Sequence, residues 1–460
     1  MTTSTTSSVG TGNTDLYRPY RQNGRGWAWA IAIVGGAFAL RLAWLLYAKS
    51  EAPQDWLQAG DQYSYWYYGN EIAAGRGYVG YITHQPTAYY PVGYPALLAA
   101  LFWTVNELHL DSHRVFAAGL MHVVISTATV ALVIFIGTRT FNTRTGLAAG
   151  VILAFFPNAI FQVASFQVET MFVFLSVAAV AVIVGHDWST GLPSRNRLLA
   201  FGAMLGVSAL VRPFSIWFLL GLFLAALVVG AGWRKALLVT LVPAMVVLVM
   251  FVPWTIRNEV RMHAFIPTST NTGDTLCLDR NMTAQGGFRF ADHDGCVDPN
   301  LPEVPRNSGN TRKAIEFVTH HPAREALQIV RRAKLMFNGD HDGLYATGSL
   351  HGGPALGTRP YNFLSSTADW YFFVVLVPAI AGLVFLFRGP HPAQRRIVAV
   401  ATISLLAIPL LLWGNQRFHF PLLPFMAILA AATLDWVLTS VHACRRPDDL
   451  PVVGIRQERH

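Results

Sequence analysis

Long apolar runs recur along almost the whole of this 460-residue chain, separated by short polar segments. A bilayer core of roughly 30 Å is crossed by about 20 apolar residues of α-helix, and several runs reach that length. Charged residues make up only 13% of the chain, whereas soluble proteins carry about 25%. The sequence therefore predicts an all-α polytopic membrane protein with about 10 transmembrane helices and large non-cytoplasmic loops. The expected spans are residues 27–48, 115–137, 144–161, 169–186, 197–212, 214–231, 234–254, 369–387, 396–413 and 418–440.

The formal net charge of +9 comes from arginines and lysines that lie in short loops between the apolar runs. Loops with this bias usually lie on the cytoplasmic side of a membrane. Nucleic-acid binding would instead require a concentrated basic patch, so no nucleic-acid partner is expected. We expect a multi-pass protein of the plasma membrane with both termini cytoplasmic. The basic loops hold Arg18, Arg21 and Arg25, then Arg139 and Arg144, Arg195 and Arg197, Arg234 and Lys235, Arg388, Arg395 and Arg396, and Arg445 and Arg446.

The other segments predict two tails and two long outer loops. The first residues are rich in Ser, Thr, Gly and Asn, a composition typical of disorder. Loops as long as the two outer ones are usually folded or functional. We expect a short surface helix at 96–105 in the first and an amphipathic helix at 311–337 in the second. The boundaries are 1–24 for a disordered cytoplasmic tail, 25–440 for the transmembrane domain, 49–114 and 255–368 for the outer loops, and 441–460 for a cytoplasmic tail.

The three cysteines divide between the two sides of the predicted topology. Cys277 and Cys296 both lie in the long outer loop, whereas Cys444 lies in the C-terminal tail. A disulfide between two cysteines is expected on an oxidising side of a membrane. The sequence thus predicts a Cys277–Cys296 disulfide and a free Cys444, and the alternative is three unrelated thiols.

Asp61 follows the first predicted span, in a segment that a protein merely crossing a membrane does not need. A carboxylate in a loop just outside the bilayer suits an enzyme that acts on a lipid-linked substrate. The alternative is an incidental solvated Asp within an interfacial aromatic belt. The neighbouring aromatic residues are Tyr63, Tyr65, Trp66, Tyr67 and Tyr68, and a rigid Tyr-Pro-Val-Gly-Tyr-Pro turn follows at 90–95.

Glu169 lies between two apolar runs. A charge well inside a span would cost roughly 2.5–3.5 kcal/mol, so we expect it beside an outer, water-filled cavity. The alternative is a carboxylate that stabilises the start of the next helix.

Four arginines are candidates for binding a phosphate group at the outer surface. The planar guanidinium donates two hydrogen bonds at once to phosphate oxygens. Snorkelling to headgroups, or contact with an anionic lipid without catalysis, would explain the same residues. The candidates are Arg41, Arg212, Arg257 and Arg417.

A dedicated metal site is not expected in the long outer loop. Its histidines lie near two aspartates, but their spacing fits no zinc pattern. Metal ligands are therefore left unknown. The residues concerned are His320, His321, His341, His351, Asp340 and Asp342.

Taken in order, these features resemble the GT-C glycosyltransferases, polytopic enzymes that use polyprenyl-phosphate-linked sugars. The resemblance covers residues 27–435 and is greatest to the protein O-mannosyltransferases and the aminoarabinose transferases, the glycosyltransferase family 39-like group. The order of the landmarks against the predicted spans carries the resemblance. They are Asp61 with Tyr63, the turn at 90–95, Phe156-Pro157 before Glu169, Arg212-Pro213, the segments 254–258 and 269–273, and Arg417-Phe418-His419-Phe420-Pro421.

The resemblance implies roles for individual residues. Asp61 matches the catalytic Asp of the first outer loop, Glu169 matches a second acidic residue, and the segment around Arg417 matches the site of the lipid-linked phosphate. Many members have Asp-Glu where this chain has Asp61-Gln62, which removes a second carboxylate at residue 62. No cofactor is certain, and Glu169 would position the acceptor or bind a divalent cation.

The resemblance thus implies an inverting transferase, with Asp61 as general base and arginines stabilising the departing phosphate. The partners are a polyprenyl-phosphate-linked sugar, membrane lipid, and a glycan, lipid or protein acceptor. Transfer would take place on the non-cytoplasmic side. A transporter or flippase of a lipid-linked sugar is the first alternative, for which internal repeats and broken helices would be expected. A non-catalytic assembly scaffold, in which Asp61 is dispensable, is the second.

Overall fold

The computed structural model describes residues 24–51, 60–287, 296, 301–350, 353–354 and 356–444. The predicted disordered tail lies outside these residues except for Gly24. Residues 445–460 of the predicted C-terminal tail, His351 and the side chain of Cys444 also lie outside them.

The described residues form α-helices joined by short turns, with one pair of two-residue antiparallel strands, β1 (Ser349–Leu350) and β2 (Gly353–Pro354). The helices are α1 (Gly24–Glu51), α2 (Gly60–Ala73), α3 (Gly93–Glu107), α4 (Arg114–Thr140), α5 (Thr143–Ala154), α6 (Pro157–Phe161), α7 (Glu169–Val184), α8 (Arg195–Val211), α9 (Phe218–Val228), α10 (Trp233–Met262), α11 (Thr272–Leu278), α12 (Glu303–His320), α13 (Pro322–Met336), α14 (Asp342–Gly348), α15 (Thr358–Gly382), α16 (Pro392–Leu410) and α17 (Leu423–Cys444).

Among the described residues, six helical segments are long and apolar enough to cross a membrane, and a bent pair makes a seventh. This pair consists of α5 and the segment that begins with α6, which meet at an angle of 62°. The break lies before Pro157, within the predicted span 144–161. Three further predicted spans correspond to helical segments of less than membrane length. The six are 26–49, 111–140, 233–262, 358–386, 392–410 and 416–442, and the shorter segments are 169–184, 195–211 and 213–228.

The core of the bundle lies along α7 and α17. Phe172 of α7 and Phe425 of α17 are fully buried. By contrast, α10 exposes Leu238 and Val249, the kind of apolar surface that faces lipid in a membrane protein. Small residues let α4 and α5 approach closely, since a Cβ on Gly137 would lie 2.9 Å from the Cα of Gly146.

Basic loops that are far apart in the sequence meet at one end of the bundle. Arg139 donates from Nη2 to the carbonyl oxygen of Gly185 at 2.7 Å, and Arg197 donates from Nη1 to that of Val182 at 2.7 Å. Both carbonyls lie at the C-terminal end of α7. Glu169 begins the same helix and therefore lies at the opposite end of the bundle. The positively charged loops and the predicted site are thus separated by the length of α7.

The segment between α10 and α15 is folded onto the end of the bundle where Glu169 lies. A disulfide joins Cys277 of α11 to Cys296. Arg332 of α13 is fully buried and forms ion pairs with Asp279 and with Glu325, the latter at 2.7 Å. The disulfide thus fixes α11 to residue 296, and the Arg332–Asp279 pair joins the end of α11 to α13.

The helices around this segment differ from the predicted boundaries. The amphipathic helix expected at 311–337 is divided into α12 and α13 at His321, because Pro322 cannot continue the hydrogen-bond ladder and instead begins a new helix. The spans on either side are longer than predicted, since α10 reaches Met262 and α15 begins at Thr358.

Candidate functional site

Asp61 lies in the first turn of α2, where two side chains bind its carboxylate. Tyr90 donates its hydroxyl hydrogen to Oδ1 at 2.6 Å, and Arg417 donates from Nη1 to Oδ2 at 2.5 Å. The next residue, Gln62, anchors this turn: its Nε2 donates to the carbonyl oxygen of Ala346 at 3.0 Å, and its Oε1 accepts from the amide of Phe166 at 2.8 Å. A carboxylate cannot both donate and accept in this way. The anchor accounts for glutamine at a position where many GT-C enzymes have glutamate.

Glu169, the first residue of α7, is buried and contacts two arginines. Its Oε1 accepts from Arg212 Nη2 at 2.6 Å and also from Arg417 Nε. The Glu169 side chain is 1% exposed, those of Arg212 and Arg417 are 12% and 14% exposed, and that of Asp61 is 33% exposed. Glu169 therefore orients the two guanidinium groups from the buried side, and Asp61 is the most exposed of the four side chains.

These groups meet at a cavity of about 1750 Å³, which we call the main cavity. Asp61, Arg212 and Arg417 line it together with several aromatic side chains, but Glu169 is not among the lining residues that the structure describes. The predicted role of Glu169 in contacting an acceptor or a cation thus has no support from its position. The aromatic lining residues include Tyr65, Tyr68, Tyr81, Tyr89, Tyr90, Phe214 and Phe418.

The surroundings of Asp61 stabilise its ionised form. Burial alone would raise the pKa of this carboxyl, but the attraction of Arg417 and the hydrogen bonds from Tyr90 and Arg417 outweigh burial and hold its pKa below the ordinary value of 3.8. Asp61 is consequently a carboxylate at neutral pH.

Within the described residues, no group of three or more His, Cys, Asp or Glu side chains is placed to hold a metal ion. Arg417 itself lies between the Asp61 and Glu169 carboxylates and contacts both. A divalent cation shared by the two carboxylates would meet this positive charge, so the residues present do not fit a resident cation there.

The other two arginines predicted for the donor-phosphate site, Arg41 and Arg257, are not among the described residues that line the main cavity. Arg41 is fully buried and donates to Ser126 Oγ at 2.8 Å and to the carbonyl oxygens of Leu153 and Ala154 at 3.2 and 3.1 Å. These two carbonyls lie in the last turn of α5, where acceptors lack i+4 amide partners; that of Leu153 also accepts from the amide of Phe156 at 3.3 Å.

Arg257 joins α10 to the first outer segment. It donates to the carbonyl oxygens of Thr87 at 2.7 Å and Tyr78 at 2.5 Å, and its guanidinium lies 5.0 Å from the centre of the Trp254 ring. Both the sequence position and the residue type suggested phosphate binding, but backbone carbonyls take up its donors.

The structure adds Asp342 to the site. This residue, in the first turn of α14, lines the main cavity, and burial raises its pKa to about 6 although Arg417 lowers it. Its Oδ2 atom has no hydrogen-bond partner among the described residues. Nearby Asp340 is instead fully buried and lies 2.8 Å from His419 Nε2. Nothing in the sequence distinguishes these two aspartates.

The opposite wall of the main cavity joins the two outer segments. Glu303, at the start of α12, accepts hydrogen bonds from Thr87 Oγ1 at 2.6 Å and from the amide of Ala88 at 2.9 Å. Beside it, Arg306 forms an ion pair with Asp274 at 3.2 Å. The contacts of Glu303 had no signal in the sequence, because Thr87 and Ala88 lie more than 200 positions away in the chain.

Structures of the oligosaccharyltransferase AglB from Archaeoglobus fulgidus are similar to this chain. One, in complex with an inhibitory peptide and a dolichol-phosphate, has a TM-score of 0.54 and 13% identity, and the match covers 95% of this chain and 53% of that one. The apo form has a TM-score of 0.54 and 14% identity with the same coverage. ArnT from Cupriavidus metallidurans bound to undecaprenyl phosphate has a TM-score of 0.40 and 16% identity, over 95% of this chain and 84% of that one.

The chain spans about half the length of the AglB structures that it matches. The expected fold class is confirmed: this is an α-helical, multi-pass membrane protein with a GT-C fold. It belongs to the family described as "Predicted membrane protein (DUF2142)", which matches residues 28–290. No curated protein matches the chain.

Proposed function

We propose that this protein is an inverting membrane glycosyltransferase that moves a sugar from a polyprenyl-phosphate donor to an acceptor hydroxyl. The observation that carries the proposal is a cavity-lining carboxylate, Asp61, paired with Arg417, together with a second cavity-lining arginine, Arg212, that shares Glu169 with Arg417. A general base and an anion site next to each other are what this transfer needs. The likeness in fold to AglB, whose structure contains a dolichol-phosphate, supports a lipid-phosphate donor.

In the proposed reaction, Asp61 removes the proton of the acceptor hydroxyl as its oxygen attacks the anomeric carbon of the donor sugar. The bond from that carbon to the phosphate oxygen breaks, and its electron pair leaves on the phosphate. One displacement inverts the anomeric configuration, so a single base suffices. Because the leaving group is already an acidic phosphate, its departure needs positive charge rather than a proton donor.

The arginines supply that charge. Arg212 Nη1 and Arg417 Nη2 are shielded from solvent and have no hydrogen-bond partner among the described residues. A buried donor without a partner is costly, so a phosphate oxygen that reaches these two groups from the main cavity would relieve that cost. Glu169 would hold both guanidinium groups in position and would not itself contact the substrates.

The charge bias of the loops supports a site on the non-cytoplasmic side with both termini cytoplasmic. The outer loops at 49–114 and 255–368 would then form the substrate-binding part of a single transmembrane domain over residues 25–440. The cytoplasmic tails at 1–24 and 441–460 are part of the same proposal. The finer resemblance to the family 39-like transferases is likewise part of the proposal.

The experiment is sugar transfer in membranes that contain the wild-type protein, Asp61→Asn or Asp111→Asn, supplied with radiolabelled polyprenyl-phosphate sugars. Asp111 is a suitable control, because its side chain is 58% exposed and pairs with nearby Arg114. We expect label in an acceptor fraction with the wild type and the control but not with Asp61→Asn.

Equal transfer by Asp61→Asn would remove Asp61 from the mechanism. If the wild type moves the intact labelled donor across a vesicle membrane and leaves the sugar on its lipid, the transferase proposal is wrong and a flippase is indicated instead.

A further inference from the structure

A second, smaller cavity adjoins the main one. Its volume is about 470 Å³, and we call it the side cavity. Asp342, Tyr345 and Asn415 line both cavities. Only this shared wall would therefore separate a molecule in the side cavity from the Asp61–Arg417 pair. Asn415, in that wall, is two residues from Arg417 in the chain.

The chemistry of the side-cavity wall excludes several ligand classes. Among the described residues that line it, none is Arg or Lys, so it offers no site for a phosphate. Leu335 is the aliphatic side chain among the described lining residues. The side cavity therefore lacks the apolar channel that a lipid tail needs. Most of the wall is instead polar and uncharged, with side chains that both donate and accept hydrogen bonds. These residues include Asn338, Asn415 and Gln416, and His341 beside them is paired with Asp369 at 2.9 Å.

The polar wall is held in a fixed arrangement. Gln416 bridges two parts of it, since its Nε2 donates to Asn338 Oδ1 at 2.9 Å and its Oε1 accepts from the amide of His341 at 3.3 Å. Asn415 accepts from the amide of Arg417 at 2.8 Å. Preorganised polar groups bind with less loss of conformational entropy. The wall is therefore suited to a rigid, hydroxyl-rich ligand.

Two residues at the shared wall have features that such a ligand would satisfy. Asp342 Oδ2 has no hydrogen-bond partner among the described residues, and a hydroxyl group of a ligand would donate a hydrogen bond to it. The Tyr345 side chain is 59% exposed, and its ring offers a flat apolar face beside a polar hydroxyl. Sugar rings present the matching combination of hydroxyl edges and C–H faces.

We propose that the side cavity binds a saccharide unit of the acceptor, which makes the acceptor a glycan rather than a protein or a simple lipid. This inference rests on the proposed transferase function. The saccharide in the side cavity contacts Asp342 and Tyr345, and the next hydroxyl along the glycan enters the main cavity next to Asp61. The donor sugar and its phosphate occupy the main cavity at Arg212 and Arg417.

The first test measures binding without turnover. The purified full chain in lipid nanodiscs is titrated with methyl glycosides of linear tetrasaccharides of mannose, glucose and galactose, and binding is followed by saturation-transfer NMR. Asp342→Asn keeps the side-chain shape, Tyr345→Ala removes an exposed ring, and Asp111→Asn serves as the matched control. We expect at least one tetrasaccharide to bind the wild type and the control, and its affinity to fall about tenfold or more in each cavity variant.

The second test adds the labelled polyprenyl-phosphate donor and follows transfer to the bound saccharide. We expect Asp342→Asn to raise the acceptor KM, whereas Asp61→Asn keeps saccharide binding and loses turnover. Failure of every tetrasaccharide to bind, or equal binding by the wild type and both cavity variants, overturns the glycan site.

The two proposals fail separately. Transfer to a peptide or lipid acceptor with an unchanged KM in Asp342→Asn would refute the glycan site and leave the transferase. Saccharide binding that depends on Asp342, without any transfer by the wild type, would refute the transferase and leave a glycan-binding membrane protein.

Discussion

Replacing Arg417 by Lys separates the charge of this residue from its geometry. Arg417 contacts Asp61 through Nη1 and Glu169 through Nε, and its Nη2 has no hydrogen-bond partner among the described residues. Lysine keeps one positive charge but has a single ammonium group on a flexible stem. It cannot reach both carboxylates and a phosphate oxygen in the arrangement that the planar guanidinium allows.

The expected loss follows from the contacts removed. A hydrogen bond to a charged group contributes about 1.5–3 kcal/mol, and the variant loses the one to Glu169. Loss of one donor to a developing negative charge costs about 2.7–4 kcal/mol, equivalent to about 100- to 1000-fold in kcat. We therefore expect kcat of Arg417→Lys to fall by about 100-fold or more, with a smaller change in donor KM, because the retained charge still attracts the phosphate.

The assay is steady-state transfer by purified protein in nanodiscs, with donor concentration varied at a fixed acceptor concentration. Arg76→Lys is the matched control: the Arg76 side chain is 61% exposed and pairs with Glu71. Size-exclusion profiles establish that both variants are folded. If Arg417→Lys transfers sugar within about tenfold of the wild type, the geometry of the guanidinium does not matter and the reasoning from bidentate phosphate contact is wrong.

Further predictions concern positions around the site. Cys277→Ser removes a disulfide between residues 19 apart and should cost about 3 kcal/mol, seen as a lower thermal midpoint that reducing agent no longer changes. Glu303→Gln should loosen the contact with Thr87, so that limited proteolysis cleaves residues 74–92 sooner than in the wild type. Arg41→Met removes the guanidinium hydrogen bonds to the carbonyls at the end of α5; it should lower the thermal midpoint by an amount equivalent to about 1–3 kcal/mol while kcat stays within about twofold. For Asp61, the lowered pKa means that kcat/KM for the donor should stay constant from neutral pH down to about pH 4, and fall only below it as the carboxylate is protonated.

The apolar runs made the membrane class and the order of the helices predictable. Period and length of hydrophobic residues depend only on local sequence, and each predicted span corresponds to a helix or a helix pair. Local sequence does not determine how far each helix extends across the bundle. The spans at 169–186 and 197–212 correspond to helices of 16 and 17 residues, and their placement depends on neighbours that bury them.

The candidate site was predictable only in part, because residue type does not fix the partner. The four arginines have the same residue type, yet Arg41 and Arg257 bind backbone carbonyls, whereas Arg212 and Arg417 share Glu169. The difference comes from packing, which places backbone carbonyls beside one pair and a carboxylate beside the other. Asp342 was missed for the same reason, since a cavity wall has no signal in the sequence.

The charges around Asp61 imply that donor binding changes the strength of the base. Asp61, Glu169, Arg212 and Arg417 form a connected group of two negative and two positive side chains. A phosphate that binds Arg417 Nη2 and Arg212 Nη1 offsets the positive charge that lowers the pKa of Asp61 and adds a nearby negative charge. Both effects raise that pKa and make the carboxylate a better proton acceptor when a donor is present. The acid limb of kcat, which reports the substrate complex, should therefore lie at higher pH than the acid limb of kcat/KM, which reports the free enzyme. Coincident limbs would show that the bound donor leaves the charges around Asp61 unchanged, and the donor phosphate would then have to bind elsewhere than at Arg212 and Arg417.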